Sequence, residues 1–189
     1  MSSPHPPRLH PLLASRWSPA AFDGEHVVDP DEVTLLLEAA RWAPSAGNSQ
    51  PWAFIVGRRG DADHAGLVGR LTPGSRRWAP SASLLVANLS HRFVEGTDWE
   101  FSEFAQYDLG QAVAHLTVQA RALGLFVRQF RAFDRDGLQQ DFGVPPHWEV
   151  TTLMAVGRPL DQGRSQAGGA RERRPVAELL WPPPSPTSR

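Results

Sequence analysis

The chain has 189 residues, 41% of them hydrophobic, which is enough for one well-buried core and short for two. Basic and acidic residues nearly balance, with a formal net charge of −1, so no global field favours nucleic acid or another polyanion. The absence of cysteine excludes disulfides, thiol nucleophiles and thiolate metal sites. Because the sequence begins without a signal-peptide pattern and has no apolar run of roughly 20 residues, we expect a cytoplasmic protein.

Both ends of the chain are rich in proline and serine, as in "MSSPHPPRLHPLL" and "WPPPSPTSR". Such composition is typical of extended or flexible termini. We therefore predict a flexible segment over 1–14, a single folded domain over 15–180 and a flexible proline-rich tail over 181–189.

Apolar periodicity predicts four helices and three strands. The first helix begins at Asp29 or Asp31, and Val33, Leu36 and Ala40 recur on one of its faces. In chain order, the predicted elements are a helix over 29–43, a strand over 52–57, a helix over 61–71, a strand over 83–90, a helix over 104–123, a helix over 134–143 and a strand over 148–157.

The helix predicted over 104–123 carries two apolar stripes. One contains Leu109, Val113 and Leu116, and the second adds Val118 and Ala122. A helix that is apolar on two faces is central in its domain or lies at a subunit interface. Since helices and strands mix without regular alternation, we predict the α+β class.

Several common active-site patterns are absent. The seven histidines never occur at the i, i+4 spacing of two metal ligands on a helix, so no metal site is predicted. The chain has no GxGxxG, GxxxxGK[ST] or GxSxG motif. Paired carboxylates, Asp61 with Asp63 and Glu100 with Glu103, lie in polar segments and are interpreted as surface residues.

Three stretches are left as candidates for chemistry. The first, residues 44–50 or "PSAGNSQ", is named here the signature loop, and it joins the first helix to the first strand. The others are "SRWSPAAF" and "ARERRPVAEL", near the two ends of the chain. In extended backbone, Arg-x-Ser and Arg-x-Arg spacing places alternate side chains on one side, where they could converge on a phosphate monoester.

The stretch "LLEAARWAPSAGNSQPWAFIV" resembles the signature region of the flavin-dependent nitroreductase family. The segments "RWSPAAF", "YDLGQAVAHLTVQARALGL", "FDRDGLQQDFGVP" and "LMAVGRP" follow the order of that family, over about residues 16–178. The resemblance implies a nitroreductase-like fold, with a central, mostly antiparallel sheet flanked by helices. It also implies an intertwined homodimer with FMN at the interface, each flavin touched by both subunits.

The resemblance also implies the cofactor-binding residues. The phosphate would be held near the amino terminus and by a basic pair near the carboxyl terminus, and one further group would lie along the N5 edge of the flavin. The signature loop would come from the other subunit. The implied residues are Arg16, Trp17 and Ser18; Arg171 and Arg173; Ser75 and Arg76; Gln129, Phe130, Arg131 and Ala132; and, from the other subunit, Pro44, Ser45, Ala46 and Asn48.

The chain departs from the family pattern at three positions. Ala20 stands where a basic residue is common, so one phosphate donor is missing. Ala132 stands where a glycine usually precedes "FD", and a methyl group at this position would crowd the ring or demand a different backbone angle. Ser75, with Arg76 beside it, stands in the region where relatives commonly carry an asparagine.

The activity implied is hydride transfer from NADH or NADPH, through the flavin, to a small aromatic acceptor such as a nitroaromatic or a quinone. No catalytic side chain is nominated. Alternatives are a reductase or oxidase of the same fold acting on an enone, a halogenated aromatic or flavin itself, an FMN-sequestering protein without turnover, and a purely structural protein. Trp42, Trp78 and Trp99 line an acceptor site or are core and interface residues.

Overall fold

The computed structural model of the chain describes residues 9–160 and 172–181. The helices are α1 (Pro11–Ala14), α2 (Pro30–Arg41), α3 (Ala62–Gly69), α4 (Pro73–Arg76), α5 (Ala105–Ala122) and α6 (Arg135–Asp141). The strands are β1 (Trp52–Arg58), β2 (Leu84–His91), β3 (Phe126–Phe130) and β4 (Trp148–Gly157). Short 3-10 turns cover Ala46–Asn48, Ala79–Ser81 and Val176–Leu179.

The four strands form one sheet in the order β1-β2-β4-β3, and every neighbouring pair is antiparallel. The three predicted strands and the four predicted helices are confirmed, with ends shifted by a few residues. The α+β class with an antiparallel sheet flanked by helices is therefore confirmed.

The strand β3 was missed as a strand by the sequence analysis, which treated its last two residues as part of a flavin-edge segment. Its sequence, "FVRQF", places Arg128 and Gln129 in a stretch of only five residues. Within the described residues, β3 lies at the edge of the sheet and pairs with β4. An edge strand is less buried than a central strand such as β2, so it needs fewer apolar residues.

Two apolar layers enclose the sheet. The central strand β2 is buried on both faces, with Leu84 and Val86 in the layer formed with α2 and α5, and Leu85 and Ala87 in the layer formed with α3 and α6. This alternation follows from the two-residue period of a strand. The sheet is therefore the middle of a helix–sheet–helix arrangement.

Asp29 is the amino-terminal cap of helix α2, which settles the choice between the two predicted caps. The Asp29 side chain accepts a hydrogen bond from the backbone N–H of Asp31, and the Glu32 side chain accepts one from the backbone N–H of Asp29. Pro30 occupies the first helical turn, where no intrahelical donor is lost. This end fixes the register of the helix that leads into the signature loop.

Helix α5 shows both stripes predicted for it. Leu109, Val113 and Leu116 are buried in the core, whereas Val118 is half-buried and Ala122 is exposed. The first stripe is therefore the core face, and the second leaves apolar surface on the outside of a single chain. No helix in the described ranges is long and apolar enough to cross a bilayer.

Candidate functional site

The signature loop has an unusual backbone. Gly47, Asn48 and Gln50 have φ values of +59°, +56° and +47°, a region that glycine and asparagine tolerate and other residues rarely adopt. The Ser45 hydroxyl accepts a hydrogen bond from the Gln50 backbone N–H at 3.0 Å. Pro44, Ala46 and Asn48 are exposed, and Ser45 is half-buried. The loop thus presents small side chains and open backbone to the outside.

A buried carboxyl group on α5 holds this loop. The Ala46 backbone N–H donates to Asp108 Oδ2 at 2.9 Å, and Gln111 Nε2 donates to Asp108 Oδ1 at 3.2 Å. Asp108 is only 2% exposed. The sequence analysis assigned it no role, although an acid between two core-facing stretches of an apolar helix is itself a signal, because buried carboxyl groups need hydrogen-bond partners.

A side chain in the last turn of α2 bonds the indole of Trp42, which lies two residues before the signature loop. Glu38 accepts from Arg41 Nε at 2.8 Å and from Trp42 Nε1 at 2.8 Å. These hydrogen bonds, that of Arg41 foremost, lower the pKa of Glu38 to about 2. Trp42 is 72% exposed, so its indole lies on the surface beside the loop and not in the core.

The amino-terminal segment, defined here as Ser15–Pro19, lies against β3 and the end of α5. The Trp17 ring contacts the Phe126 ring at a centroid distance of 5.1 Å. Arg121 donates to the Ser15 hydroxyl at 3.4 Å, and Arg128 donates to the Pro19 carbonyl at 3.1 Å. Within the segment Arg16 is half-buried and Ser18 is exposed, so the predicted phosphate donors are carried on a segment held by two other arginines.

Arg121 and Arg128 were not singled out by the sequence analysis. Their guanidinium carbons lie 3.7 Å from the Phe126 ring centroid and 3.9 Å from that of Trp78, respectively. Burial lowers the pKa of both groups from the ordinary arginine value, yet arginine stays charged at neutral pH. Within 9–160 and 172–181 neither forms an ion pair with a carboxylate, so this end of the domain carries positive charge.

The predicted N5-edge segment and Ser75 come together. The Ala132 carbonyl accepts hydrogen bonds from the Ser75 hydroxyl at 2.5 Å, the Thr72 hydroxyl at 3.1 Å and the Thr72 backbone N–H at 3.2 Å. Phe130 packs on Trp78 at a centroid distance of 5.0 Å. Gln129 and Ala132 are exposed. The segment before Phe133 is therefore held in place by the Ala132 carbonyl and by the Phe130 ring, and it leaves the side chains of Gln129 and Ala132 exposed.

Two of the predicted basic residues are engaged with the protein itself. The Arg76 guanidinium donates to the carbonyls of Val68, Gly69 and Leu71 at the end of α3, and it supplies the favourable charge for a helix carboxyl terminus. Arg131 lies over the Phe133 ring at 4.6 Å and donates to the Phe133 carbonyl. One guanidinium nitrogen of each residue is therefore already bonded to backbone carbonyls of the protein.

Near the carboxyl terminus, Arg173 is exposed and donates to the Glu172 carbonyl. Arg171 lies outside the described residues. No metal-binding group of three or more His, Asp or Glu side chains occurs in the part of the chain that the structure describes. The site's chemistry is thus that of guanidinium, hydroxyl and backbone donors.

Within one chain, the two parts of the predicted site lie at opposite ends of helix α5. Asp108 binds the signature loop near its beginning, and Arg121 reaches Ser15 near its end. At 1.5 Å per residue these two positions are about 20 Å apart along the helix. The amino-terminal segment, β3 and the Ser75 region come together, whereas the signature loop lies away from them.

Comparison with known proteins places this architecture in a class. A solved oxidoreductase containing FMN has 31% sequence identity and a TM-score of 0.76, covering 85% of this chain and 80% of that one. Among sequence relatives, a Streptomyces coelicolor protein provisionally named NADH dehydrogenase/NAD(P)H nitroreductase is 27% identical over 150 residues, covering 70% of this chain and 74% of the relative. The 5,6-dimethylbenzimidazole synthase of Rhodospirillum rubrum is 28% identical over 174 residues, covering 80% of this chain and 77% of the relative.

The family model for nitroreductases matches residues 13–71, which include the amino-terminal segment, the signature loop and β1. Together with the solved structure, this match shows that the chain belongs to the nitroreductase family.

Proposed function

We propose that the protein is an FMN-dependent oxidoreductase that takes hydride from NADH or NADPH and passes it to a small aromatic acceptor, a nitroaromatic or a quinone. The observation that carries the proposal is the segment Ser15–Pro19, held by two arginines without carboxylate partners in the described ranges. Names of relatives, NAD(P)H nitroreductase and oxidoreductase containing FMN, support the same reaction class.

The donor set near the amino terminus fits a phosphate monoester. Arg16 and Ser18 supply a guanidinium and a hydroxyl within three residues, and Arg171 and Arg173 complete the proposed set. Arg128, at the Pro19 carbonyl, brings a positive charge next to Ala20, where the family commonly has a basic residue. Each charge-assisted hydrogen bond of this kind contributes about 1.5–3 kcal/mol.

The flavin ring would lie against Ser75, Arg76 and residues 129–132 of one subunit. Pro44, Ser45, Ala46 and Asn48 would come from the other subunit, and the separation of about 20 Å within a single chain supports this division. The half-buried and exposed residues on the outer face of α5 support a homodimer as well.

The bound FMN would supply reversible hydride acceptance and donation. The chain's own residues bind the phosphate, orient the ring and exclude water. The backbone N–H of Arg131 is proposed to face the N5 edge, and the charges of Arg76 and Arg131 favour negative charge on the ring. The Ala132 carbonyl accepts hydrogen bonds from Ser75 and Thr72, so the methyl group of Ala132 would be the part of this residue that faces the ring.

The first test is a visible spectrum of the purified protein, before and after addition of FMN. We expect absorption typical of bound flavin, bleaching by NADPH or NADH under nitrogen, and recovery on addition of a nitroaromatic or quinone. Protein that neither carries FMN nor takes it up would contradict the proposal.

A panel of nitroaromatics, quinones, enones, halogenated aromatics and free oxidised flavin distinguishes the proposed acceptor from its alternatives. Free flavin is included because flavin itself is one of the alternative acceptors for this fold. Turnover of the first two classes supports the proposed function, and turnover of another class alone replaces the acceptor. Stoichiometric FMN without oxidation of NADH or NADPH by any acceptor would identify an FMN-sequestering protein.

A further inference from the structure

The signature loop is internally bonded but weakly attached to the rest of the domain. Ser45 and Gln50 close its turn, and Gln50 Nε2 donates to the Asn48 carbonyl. None of these hydrogen bonds leaves the loop. Among the hydrogen bonds described for residues 44–50, two reach a different element: the Trp52 N–H at the start of β1 donates to the Gln50 carbonyl, and the Ala46 N–H donates to Asp108 on α5. Of these two, the bond to Asp108 is the one that ties the loop to a residue distant in sequence.

The loop also needs an external restraint. Asn48 and Gln50 are not glycine and have positive φ values, a backbone region that residues with a side chain adopt at an energetic cost. A single backbone conformation of this kind persists when its surroundings determine it. The restraint must therefore come from a group that is itself fixed.

Asp108 meets that requirement. It is 2% exposed, and both of its carboxyl oxygens accept hydrogen bonds, one from the loop and one from Gln111 in the next helical turn. It lies in the first turn of α5, where the helix dipole favours negative charge. The carboxyl group is thus held on a rigid helix and can hold the loop in turn.

We propose that Asp108 is a positioning residue for FMN: it touches no cofactor atom, but it sets the backbone conformation that the signature loop presents to the flavin of the partner subunit. The inference rests on the proposed function, since the loop's contact with flavin is part of that proposal. Removing the carboxyl group should loosen the loop and weaken FMN binding without unfolding the core.

The test compares Asp108→Asn with Thr117→Val in the full-length protein. Asparagine has a single acceptor oxygen and places an NH₂ group against one of the two donors, so one donor loses its partner. Thr117 is also buried on α5, and its hydroxyl bonds only within the helix, to the Val113 carbonyl. Thr117→Val therefore perturbs the helix and leaves the loop attachment intact.

Two readouts are needed, one of which does not depend on FMN. Hydrogen exchange of residues 44–50 in FMN-free protein should become about 10- to 100-fold faster in Asp108→Asn and stay unchanged in Thr117→Val. The dissociation constant for FMN, measured by fluorescence titration, should rise about 10-fold or more in Asp108→Asn alone. Gln111→Leu, which removes only the second hydrogen bond, should give smaller changes in the same direction.

Unchanged loop exchange in both Asp108→Asn and Gln111→Leu would overturn the inference, as would faster exchange with an unaltered FMN dissociation constant. If Asp108→Asn does not fold, Gln111→Leu decides by the same two readouts. If the wild-type protein binds no FMN, the proposed function fails, and the exchange measurement still decides whether Asp108 holds the loop.

Discussion

The signature loop and the amino-terminal segment are held by opposite chemistry. A buried carboxyl group accepts from the backbone of the loop at Ala46, whereas guanidinium groups donate to the segment at Ser15 and Pro19. The loop contains no charged side chain, and the segment is surrounded by arginines. The signature loop therefore presents an uncharged surface of backbone and small side chains, whereas the amino-terminal segment presents positive charge.

The two regions therefore suit two different parts of one proposed ligand. A flat, nearly neutral ring is recognised by close approach of backbone and small side chains, and a phosphate is recognised by guanidinium and hydroxyl donors. Riboflavin has the same ring without the phosphate. Comparing FMN with riboflavin therefore tests each region separately, and the predictions below use that comparison.

The largest expected effect is at the charged region. Arg16→Ala should weaken FMN binding by about 10- to 150-fold, equivalent to 1.5–3 kcal/mol for one charge-assisted contact, and leave riboflavin binding unchanged. The dissociation constants are measured by flavin fluorescence, at low and high salt, because screening weakens phosphate binding. Arg135→Gln, which removes a guanidinium paired with Glu149, is the control. Equal losses for FMN and riboflavin would contradict the assignment of Arg16 to the phosphate.

Arg128 should contribute less to FMN binding, because its guanidinium already bonds the Pro19 carbonyl and stacks on Trp78. We expect Arg128→Gln to weaken FMN binding by about 3- to 10-fold, consistent with a partly screened charge. Titration of FMN and riboflavin, with circular dichroism to confirm folding, checks this. A variant that binds FMN as tightly as wild type would show that Arg128 does not compensate for Ala20.

In the signature loop, Gly47→Ala tests the backbone conformation without changing any charge. The added methyl group has no atom within 4 Å, but the φ of +59° disfavours alanine, at a cost of about 1 kcal/mol. FMN and riboflavin affinity should both fall by about fivefold. Gly24→Ala, also in open space but without a positive φ, should change neither. A loss confined to FMN would contradict the division between shape and charge.

The smallest effect concerns pH at the start of the loop. The pKa of Glu38 lies at about 2, because Arg41 and Trp42 donate to its carboxylate, well below its ordinary value of 4.5. A depressed pKa contributes stability above the ordinary value, and that contribution is lost as the pH falls through about 2. The Trp42 indole N–H resonance should therefore stay constant down to about pH 4.

The control for this prediction is Glu38→Gln, in which the indole keeps an acceptor but loses the titrating group. A change in the Trp42 resonance centred near 4.5, the ordinary value, would show that the carboxylate is not stabilised as described.

The sequence predicted the core of the fold because hydrophobic periodicity decided it. Leu36 and Ala40 on α2, and Leu109 and Leu116 on α5, are buried as their spacing indicated. The edge strand β3 was missed because "FVRQF" is only five residues long and places Arg128 and Gln129 side by side, without the polar–apolar alternation typical of a half-buried strand. Its identity as a strand depends on pairing with β4, which is a tertiary property.

From the sequence, site residues could be predicted only where the family resemblance assigned them a role. The resemblance named Ser75 and Ala132 separately, and the structure joins them by a 2.5 Å hydrogen bond. Asp108 and Arg121 lie in the family-like stretch over 107–125, and Arg128 follows it, but the resemblance assigned none of them a role. Each acts on a segment that is distant in sequence. Arg76 was predicted to lie near the ring as a positive charge, which stays a prediction; the structure adds that one of its guanidinium nitrogens bonds the carbonyls of Val68, Gly69 and Leu71.

The central claim is that each FMN site combines the amino-terminal segment of one chain with the signature loop of another. Subunits carrying Arg16→Ala are mixed with subunits carrying Ala46→Trp, which blocks the loop, and the pairs are dissociated, reassociated and titrated with FMN. Each mixed dimer then has one intact site, so tight binding should return at about one site in four after random association. Mixtures that bind no better than the separate variants would contradict the claim, because both parts of the site would then come from the same chain.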